Sequence, residues 1–78
     1  MVVCNQHGTR FYTDPELEPM KAQGSSWIQA YKNGVGVGAI GKWDDESAAM
    51  RVMQDIIRAY KHGQQFYEIP FTVDELLF

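Results

Sequence analysis

The 78-residue chain is poor in the features that mark secreted and membrane proteins. Cys4 is its only cysteine, so no internal disulfide can form, and a reducing compartment such as the cytoplasm is expected. No apolar run approaches the roughly 20 residues of a membrane span, and Met1–Gly8 lacks the basic and apolar regions of a signal peptide. We therefore expect an intracellular protein, with residues 1–78 forming one small domain.

The chain also lacks a strong charge and an arrangement of catalytic side chains. Its seven Lys and Arg residues are scattered and its formal net charge is −3, which argues against a non-specific binder of nucleic acid or membrane surfaces. Cys4 and His7 could suggest a nucleophile and a base, but no third group is positioned to orient the imidazole. No spacing resembles a metal site. We expect no enzymatic activity, metal or cofactor.

What the chain does have is one strongly amphipathic stretch, Asp44–Gly63. The spacing predicts a helix, with Asp44 or Asp45 as the N-cap and Gly63 just past the C-terminus. Its apolar face is expected to hold Ala49, Val52, Met53, Ile56 and Tyr60, widened by Met50 and Ile57. The opposite face is expected to hold Glu46, Arg51, Gln54, Asp55, Arg58 and Lys61.

Short strand-like segments stand on both sides of this helix. Met1–Cys4 and Thr9–Thr13 flank the turn sequence Asn5–Gly8 and predict a hairpin. Residues 14–26 contain two prolines and are predicted to be mostly irregular surface chain, with room for one short extended piece. Gln65–Pro70 predicts an edge strand. The apolar tail Phe71–Phe78 should either complete the core or dock on a second subunit, so a homo-oligomer is expected.

A second hairpin is predicted over Trp27–Trp43, because Asn33-Gly34 joins two strand-like runs and suits a type I′ turn. A two-residue loop pairs Lys32 with Val35. An uninterrupted register then continues along both strands until Trp27 pairs with Ile40. One face then collects an apolar set that can pack on the helix: Ile28, Ala30, Val35, Val37 and Ala39. The other face carries Trp27, Gln29 and Tyr31 opposite Gly36 and Gly38.

This second face has two interpretations. The bulky side chains can simply cover bare glycine backbone, or they can form a shallow aromatic floor on which a planar ligand stacks. Residues 36–41 also match GxGxxG, but Trp43 and Asp44 separate the glycines from the helix, so a dinucleotide fingerprint is excluded. Together the segments predict an α+β fold: a small, mainly antiparallel β-sheet packed on one long α-helix, in the order β-β-β-β-α-β.

The sequence resembles a family of short hypothetical proteins from phages and prophages of Gram-positive bacteria. The family pattern begins with M-x-[IV]-x-x-Q-[DN]-G-T. It continues with a hydrophobic strand that ends in tyrosine, an acid-capped helix A-x-[KR]-V-M-x-x-[LI]-x-x-A-Y, and an aromatic strand closing on proline. The matching residues are Met1, Val3, Gln6, Gly8, Thr9, Ile40, Trp43, Glu46, Ala49, Arg51, Val52, Met53, Ile56, Ala59, Tyr60, Phe66, Tyr67, Pro70 and Glu75. This chain departs from the pattern at His7, at Trp43 in place of tyrosine, and at Ser47, where glutamate would complete a capping box.

The resemblance implies a small accessory protein of a mobile element, acting in the host cytoplasm. The leading hypothesis is a non-enzymatic protein that counters host defence by sequestering a small nucleotide signal as an oligomer. Trp27 or Tyr31 would stack a base, Gly36 and Gly38 would permit close backbone approach, and Lys32, Lys42 or Arg10 would meet phosphate. The alternative is a protein–protein inhibitor or assembly factor that uses the tail and the helix surface on a host defence protein or a phage protein.

Overall fold

A computed structural model describes residues 1–72 and shows two small sheets and one helix. The elements are β1 (Val2–Cys4), β2 (Phe11–Thr13), β3 (Glu16–Ala22), β4 (Ser25–Lys32), β5 (Val35–Trp43), α1 (Glu46–Lys61) and β6 (Phe66–Glu68). Sheet A has the strand order β2-β1-β6 and sheet B the order β3-β4-β5. Every pairing is antiparallel except β1 with β6. The predicted α+β class, the N-terminal hairpin and the edge position of the last strand are confirmed.

The helix begins and ends where its sequence signals predict. Of the two candidate caps, Asp45 is the one used: its Oδ1 accepts from the Ser47 backbone N–H at 3.0 Å, and its Oδ2 accepts from the Ser47 hydroxyl at 2.9 Å. Ser47 therefore supports the cap through its own hydroxyl in place of a capping-box glutamate. Gly63, at φ +76°, turns the chain away from the helix.

The buried face of α1 differs from the predicted one. It consists of Ala48, Ala49, Val52, Asp55, Ile56 and Ala59. Tyr60, predicted to lie in the core, is 68% exposed, and Met50 and Ile57 are about half exposed. The small alanine side chains allow the helix to lie close to sheet B. The face of the helix that is covered is therefore narrow, and Met50, Ile57 and Tyr60 remain exposed to solvent.

Residues 14–26 are the clearest error of sequence reasoning, because they contain the seven-residue strand β3. It pairs with β4 along its whole length, from Glu16 opposite Tyr31 to Ala22 opposite Ser25. Pro19, opposite Ile28, lacks an N–H, which is tolerated because β3 is an edge strand with only one paired side. Because two prolines in one segment are typical of irregular chain, the sequence pattern did not predict this strand.

The Asn33-Gly34 turn is confirmed, with φ of 53° and 80°. Lys32 pairs with Val35 and Tyr31 with Gly36, as predicted.

The rest of the predicted register is wrong, because two irregularities shift it. The pairs beyond them are Ala30–Gly38, Gln29–Ala39, Ile28–Gly41, Trp27–Lys42 and Ser26–Trp43. Each irregularity adds one residue to β5 and reverses the direction of the side chains that follow. Ile40 is consequently in the core at 1% exposure, whereas Ala39 is exposed. Val35, which precedes both irregularities and was predicted to face the helix, is 64% exposed beside the turn.

The core lies between α1 and the inner faces of both sheets. Its members are Val3, Ile28, Ala30, Ile40, Trp43, Ala48, Ala49, Val52, Ile56, Ala59, Tyr67 and Ile69. Gly41 marks the tightest point, since a Cβ atom there would lie 2.6 Å from the Trp43 ring and 2.7 Å from Ile69 Cγ2. Only glycine lets β5 pass between these two side chains.

Gln6 joins the two sheets, a role that its place in a turn sequence did not reveal. Its backbone N–H donates to Ile40 O at 2.7 Å, and its Oε1 accepts from the Lys42 backbone N–H at 3.0 Å. Its Nε2 donates to Lys42 O and Pro70 O, each at 3.2 Å. One side chain thus holds β5 of sheet B against the segment that follows β6 of sheet A.

Of the predicted tail, Phe71 is 58% exposed, and residues 73–78 lie outside the described part.

Candidate functional site

The predicted aromatic face exists, on the side of sheet B that points away from the helix. Ser26, Ile28 and Ala30 of β4 are buried, and the intervening Trp27, Gln29 and Tyr31 are half-buried on the opposite face. Their partners on β3 are Met20, Glu18 and Glu16, respectively. Glu18 therefore borders the middle of this face and Glu16 its turn end, and each carboxylate disfavours a phosphate group placed directly beside it.

The two glycines assigned to this face have different surroundings. A Cβ atom at Gly36 would lie 3.3 Å from Gln29 Nε2 and 3.8 Å from Tyr31 Cε1, so both side chains already cover that backbone. At Gly38, where φ is +148°, a Cβ would lie 3.0 Å from the hydroxyl of Tyr12. The first bulge has thus turned Gly38 toward another strand. These contacts support the interpretation in which Gln29 and Tyr31 repair a glycine-rich strand.

Trp27 and Lys42 lie together at one end of the face. They are direct partners across β4 and β5, and Trp27 Nε1 donates to Gln29 Oε1 at 3.2 Å. Tyr31 is four residues further along β4, about 13 Å away at 3.3 Å per residue. One small ligand does not span this distance between the two rings while also stacking on both, so the predicted residues separate into two groups.

Arg10, Tyr31 and Lys32 form the second group, around an open cavity of about 240 Å³ at the turn end of sheet B. We call it the basic–aromatic cavity. Its lining comes from β2, β4 and β5 and the chain before β3: Arg10, Phe11, Tyr12, Thr13, Pro15, Tyr31, Lys32 and Val37. The contribution of β2 was missed by sequence reasoning. The signal that could have indicated it is the run Arg10-Phe11-Tyr12, one cation followed by two aromatic residues.

The cavity carries positive charge beside aromatic rings. The Arg10 guanidinium carbon lies 5.5 Å from the centroid of the Tyr12 ring, and Arg10 and Lys32 are both exposed. Partial burial, followed by the charge of the neighbouring Glu18 carboxylate and a hydrogen bond with it, raises the pKa of the Tyr31 hydroxyl. The ring of Tyr31 is therefore the part of this side chain that a ligand would use, and exposed cations beside aromatic rings suit a ligand that combines a ring with an anionic group.

Acidic groups nearby limit that charge. Asp14 accepts a hydrogen bond from the Met1 amine, and this contact, with a smaller effect of Lys32, lowers the pKa of its carboxyl. Glu16 stands opposite Tyr31 on β3. The cavity therefore has two cations with carboxylates at its border, which fits one or two phosphate charges better than a polyanion.

A second polar group is buried and belongs to the structure of the core. Asp55 is 5% exposed and accepts from Arg58 Nε and Nη2, at 2.9 and 2.6 Å, and from the Tyr67 hydroxyl at 2.7 Å. Arg58 and Tyr67 both donate hydrogen bonds to the Asp55 carboxylate, so each of its two oxygens has a partner. Within residues 1–72, no group of three or more His, Cys, Asp or Glu side chains is placed to hold a metal ion.

Fold and site define a small α+β protein with an open surface cavity lined by cationic and aromatic side chains. Comparison of the chain with models of protein families, with curated proteins and with solved structures gives no match. In residues 1–72, no helix combines the length and the apolar character needed to cross a membrane.

Proposed function

We propose that this chain is a non-enzymatic binding protein that holds a small nucleotide in the basic–aromatic cavity. The observation that carries the proposal is the convergence of Arg10, Lys32, Tyr12 and Tyr31 on one cavity from separate parts of the chain. Bases stack on aromatic rings whatever their identity, and guanidinium and ammonium groups bind phosphate oxygens. These are the two kinds of group that a nucleotide needs.

The dimensions of the cavity restrict the ligand. About 240 Å³ is less than the 300 Å³ or more of pockets that enclose a drug-sized molecule. One base or nucleoside enters, therefore, and the phosphate stays at the rim, where Arg10 and Lys32 are exposed. A mononucleotide, or one half of a cyclic dinucleotide, is small enough for the cavity. Its one or two phosphate charges also suit the two cations of the site.

The biological role that we propose is sequestration of a nucleotide signal of host defence, in the cytoplasm of an infected cell. It is supported by the resemblance to phage and prophage proteins and by the absence of a catalytic arrangement in the sequence. Sequestration requires only that the ligand be bound and released unchanged. The ligand recovered from the complex should therefore have its original mass.

Native mass spectrometry and calorimetry with mononucleotides, cyclic nucleotides and ADP-ribose derivatives test this proposal. The chain offers matched variants, because Tyr31 and Lys32 of the cavity have an aromatic and a basic counterpart, Trp27 and Lys42, at the other end of β4 and β5. Tyr31→Ala should weaken binding about 10-fold or more, while Trp27→Ala should leave it unchanged. Lys32→Ala should weaken binding and make it less sensitive to salt, while Lys42→Ala should not.

Three results would contradict the cavity as the site. The first is equal affinity of the Tyr31→Ala and Trp27→Ala variants, and the second is loss of binding only in the Trp27→Ala protein. The third is the absence of any bound nucleotide across the panel. A ligand recovered with altered mass would instead contradict the non-enzymatic role.

One observation favours the alternative of a protein inhibitor or assembly factor. Phe11 and Phe66 are 64% and 40% exposed on the outer face of sheet A, with ring centroids 6.0 Å apart. Exposed aromatic pairs of this kind are typical anchors for a protein partner. Under this alternative, Phe66→Ser abolishes capture of the partner and no small ligand is required. Phe66 does not line the cavity, so this variant separates the two functions.

A further inference from the structure

Four apolar residues of α1 remain at its surface in a regular pattern. Met50, Met53, Ile57 and Tyr60 are separated by three, four and three residues, which is the spacing of the contact positions in a coiled coil. Met50, Ile57 and Tyr60 are 45%, 48% and 68% exposed, and Met53 is half-buried at the edge of the core. We call these four residues the helix stripe. The ten helical steps from Met50 to Tyr60 give it a length of about 15 Å.

The helix stripe borders a groove between α1 and the edge strand β3. The groove is widest beside Met53, Ile57 and Tyr60, where a mainly apolar cavity of about 520 Å³ is completed by Met1, Pro15 and Leu17. A smaller cavity of about 160 Å³ continues it beside Met50, with Pro19 and Met20 on the β3 side. Sheet B thus extends beyond the helix at this edge, and the surface beside the helix can receive one more element.

The two ends of the helix stripe have opposite charge. Asp44, Asp45 and Glu46 stand at the N-terminal end. Lys61 lines the wide end of the groove at the C-terminus, where Asp14 also lines the groove and is paired with the Met1 amine. Glu46 makes an exposed ion pair with Lys21 at 3.2 Å, so its carboxylate is at the surface, where a cation of another chain can approach it. A helix with the same pattern running in the opposite direction would place a lysine near these acids at both ends.

We infer that the helix stripe and its groove are the interface of a homodimer in which two copies of α1 pack antiparallel about a two-fold axis. Met50 of one copy then lies opposite Tyr60 of the other, and Met53 lies opposite Ile57, so the four apolar layers close on themselves. Lys61 of each copy approaches the acidic first turn of the other, and the two helix dipoles oppose each other favourably. The same surface on both copies therefore buries the apolar residues of the helix stripe and brings opposite charges together.

Sedimentation velocity of the ligand-free protein tests the inference, with Ile57→Glu as the disrupting variant. Ile57 is half exposed, so the fold should survive the change, which circular dichroism checks. Wild type should sediment as a dimer, and Ile57→Glu should raise the dimer dissociation constant about 100-fold or more. The matched control is Val35→Glu, the same chemical change at a 64% exposed valine on the β4–β5 turn, and it should stay dimeric.

A charge exchange tests the antiparallel direction. Lys61→Glu should weaken the dimer about 10-fold, because it places acids together at both ends. Adding Glu46→Lys to that variant should restore association, whereas a parallel pair, with Lys61 beside its own counterpart, would show no rescue.

A wild-type monomer at about 100 µM would overturn the inference. So would a dimer unaffected by Ile57→Glu, or one dissociated only by Phe11→Glu on the other side of the molecule. Because no nucleotide is present in these measurements, their outcome is independent of the proposed ligand.

Discussion

At the scale of single residues, Asp55 shows how a charged group becomes part of the core. Its position in the helix pattern placed it on the polar face, yet the structure buries it under β6. The cost of removing a carboxylate from water is offset because Arg58 supplies charge and two hydrogen bonds, and Tyr67 supplies a third. This small network fixes the last strand against the helix.

Tyr67→Phe tests that role. The substitution keeps the ring in the core and removes only the hydroxyl, so one oxygen of the buried carboxylate loses its donor. The free energy of unfolding should fall by about 1–3 kcal/mol, measured by urea denaturation. Tyr60→Phe is the control, because Tyr60 is 68% exposed and its change should stay within about 0.5 kcal/mol. Equal effects of the two variants would contradict the network.

The same hydroxyl makes stability depend on pH in the alkaline range. Burial, and then the hydrogen bond and charge of Asp55, raise the pKa of Tyr67 well above its ordinary value. The folded protein therefore retains a proton that the unfolded chain loses near pH 10, so the stabilisation is complete below that pH and declines as the pH rises further. The slope should reach about 1.4 kcal/mol per pH unit in wild type and be smaller in Tyr67→Phe.

Sequence alone could not reveal Asp55, because nothing within its own helix marks it. Its helical partner Arg58 is three residues away, a spacing that is equally common on solvated faces. The group that requires its burial, Tyr67, comes from another element. The residue types of the core helix could be predicted, but not which polar residue the last strand would cover.

At the scale of elements, the helix was the most predictable part, since its start, period and end are all local. The sequence left Asp44 and Asp45 as equal candidates for the cap, and the structure selects Asp45. Asp45→Ala should lower the unfolding midpoint clearly more than Asp44→Ala, because only Asp45 accepts from Ser47. Thermal denaturation of the two variants checks this, and equal midpoints would contradict the cap.

The cap also predicts behaviour in acid. The Ser47 backbone N–H, followed by its hydroxyl, lowers the pKa of Asp45 below its unfolded value. Its contribution is complete above the unfolded pKa of about 4 and disappears as the pH falls through the folded value. The difference between wild type and Asp45→Ala should therefore shrink as the pH is lowered below about 4.

The strands were predicted less well, and the reasons are physical. The Asn33-Gly34 turn is a local signal, so the hairpin and its first two pairs could be derived. The two shifts in register lie where β5 meets Tyr12 at Gly38 and Ile69 at Gly41, and both contacts come from distant parts of the chain. For β3, Pro15 before the strand and Pro19 within it are typical of irregular chain, but the pairing with β4 outweighs this local preference.

At the scale of the whole molecule, Gln6 is the joint between the two sheets. Gln6→Leu removes its side-chain bonds to Lys42 and Pro70 and leaves a backbone N–H of β5 without its partner. Unfolding free energy should fall by about 1–3 kcal/mol, and the Lys42 amide should exchange with solvent faster. Gln65→Leu is the control, since the Gln65 side chain is exposed and donates to the nearby Gly63 carbonyl, while its backbone bond from Val2 is kept in the variant. A protected Lys42 amide in the Gln6 variant would contradict this role.

The candidate site belongs to this scale too, which is why it was only partly predictable. The sequence indicated aromatic and basic residues of the β4–β5 hairpin, and Arg10, Tyr31 and Lys32 do line one cavity. The cavity forms at the turn end of the hairpin because β2 of the other sheet lies there. Phe11 and Tyr12 complete the cavity through that placement, and no periodicity within the hairpin could have located them.

The parallel pairing of β1 with β6 has a consequence for how the chain is made. Sheet B and the helix are built from consecutive segments and can assemble as they leave the ribosome, whereas β1 needs a neighbour from near the other end of the chain. Gln6, just after β1, likewise meets Pro70, 64 residues later. β1 can pair with β2 at once, but at about 5–20 residues per second it waits several seconds for β6. Sheet A, although it contains the strand made before the other strands of this fold, is thus completed after sheet B.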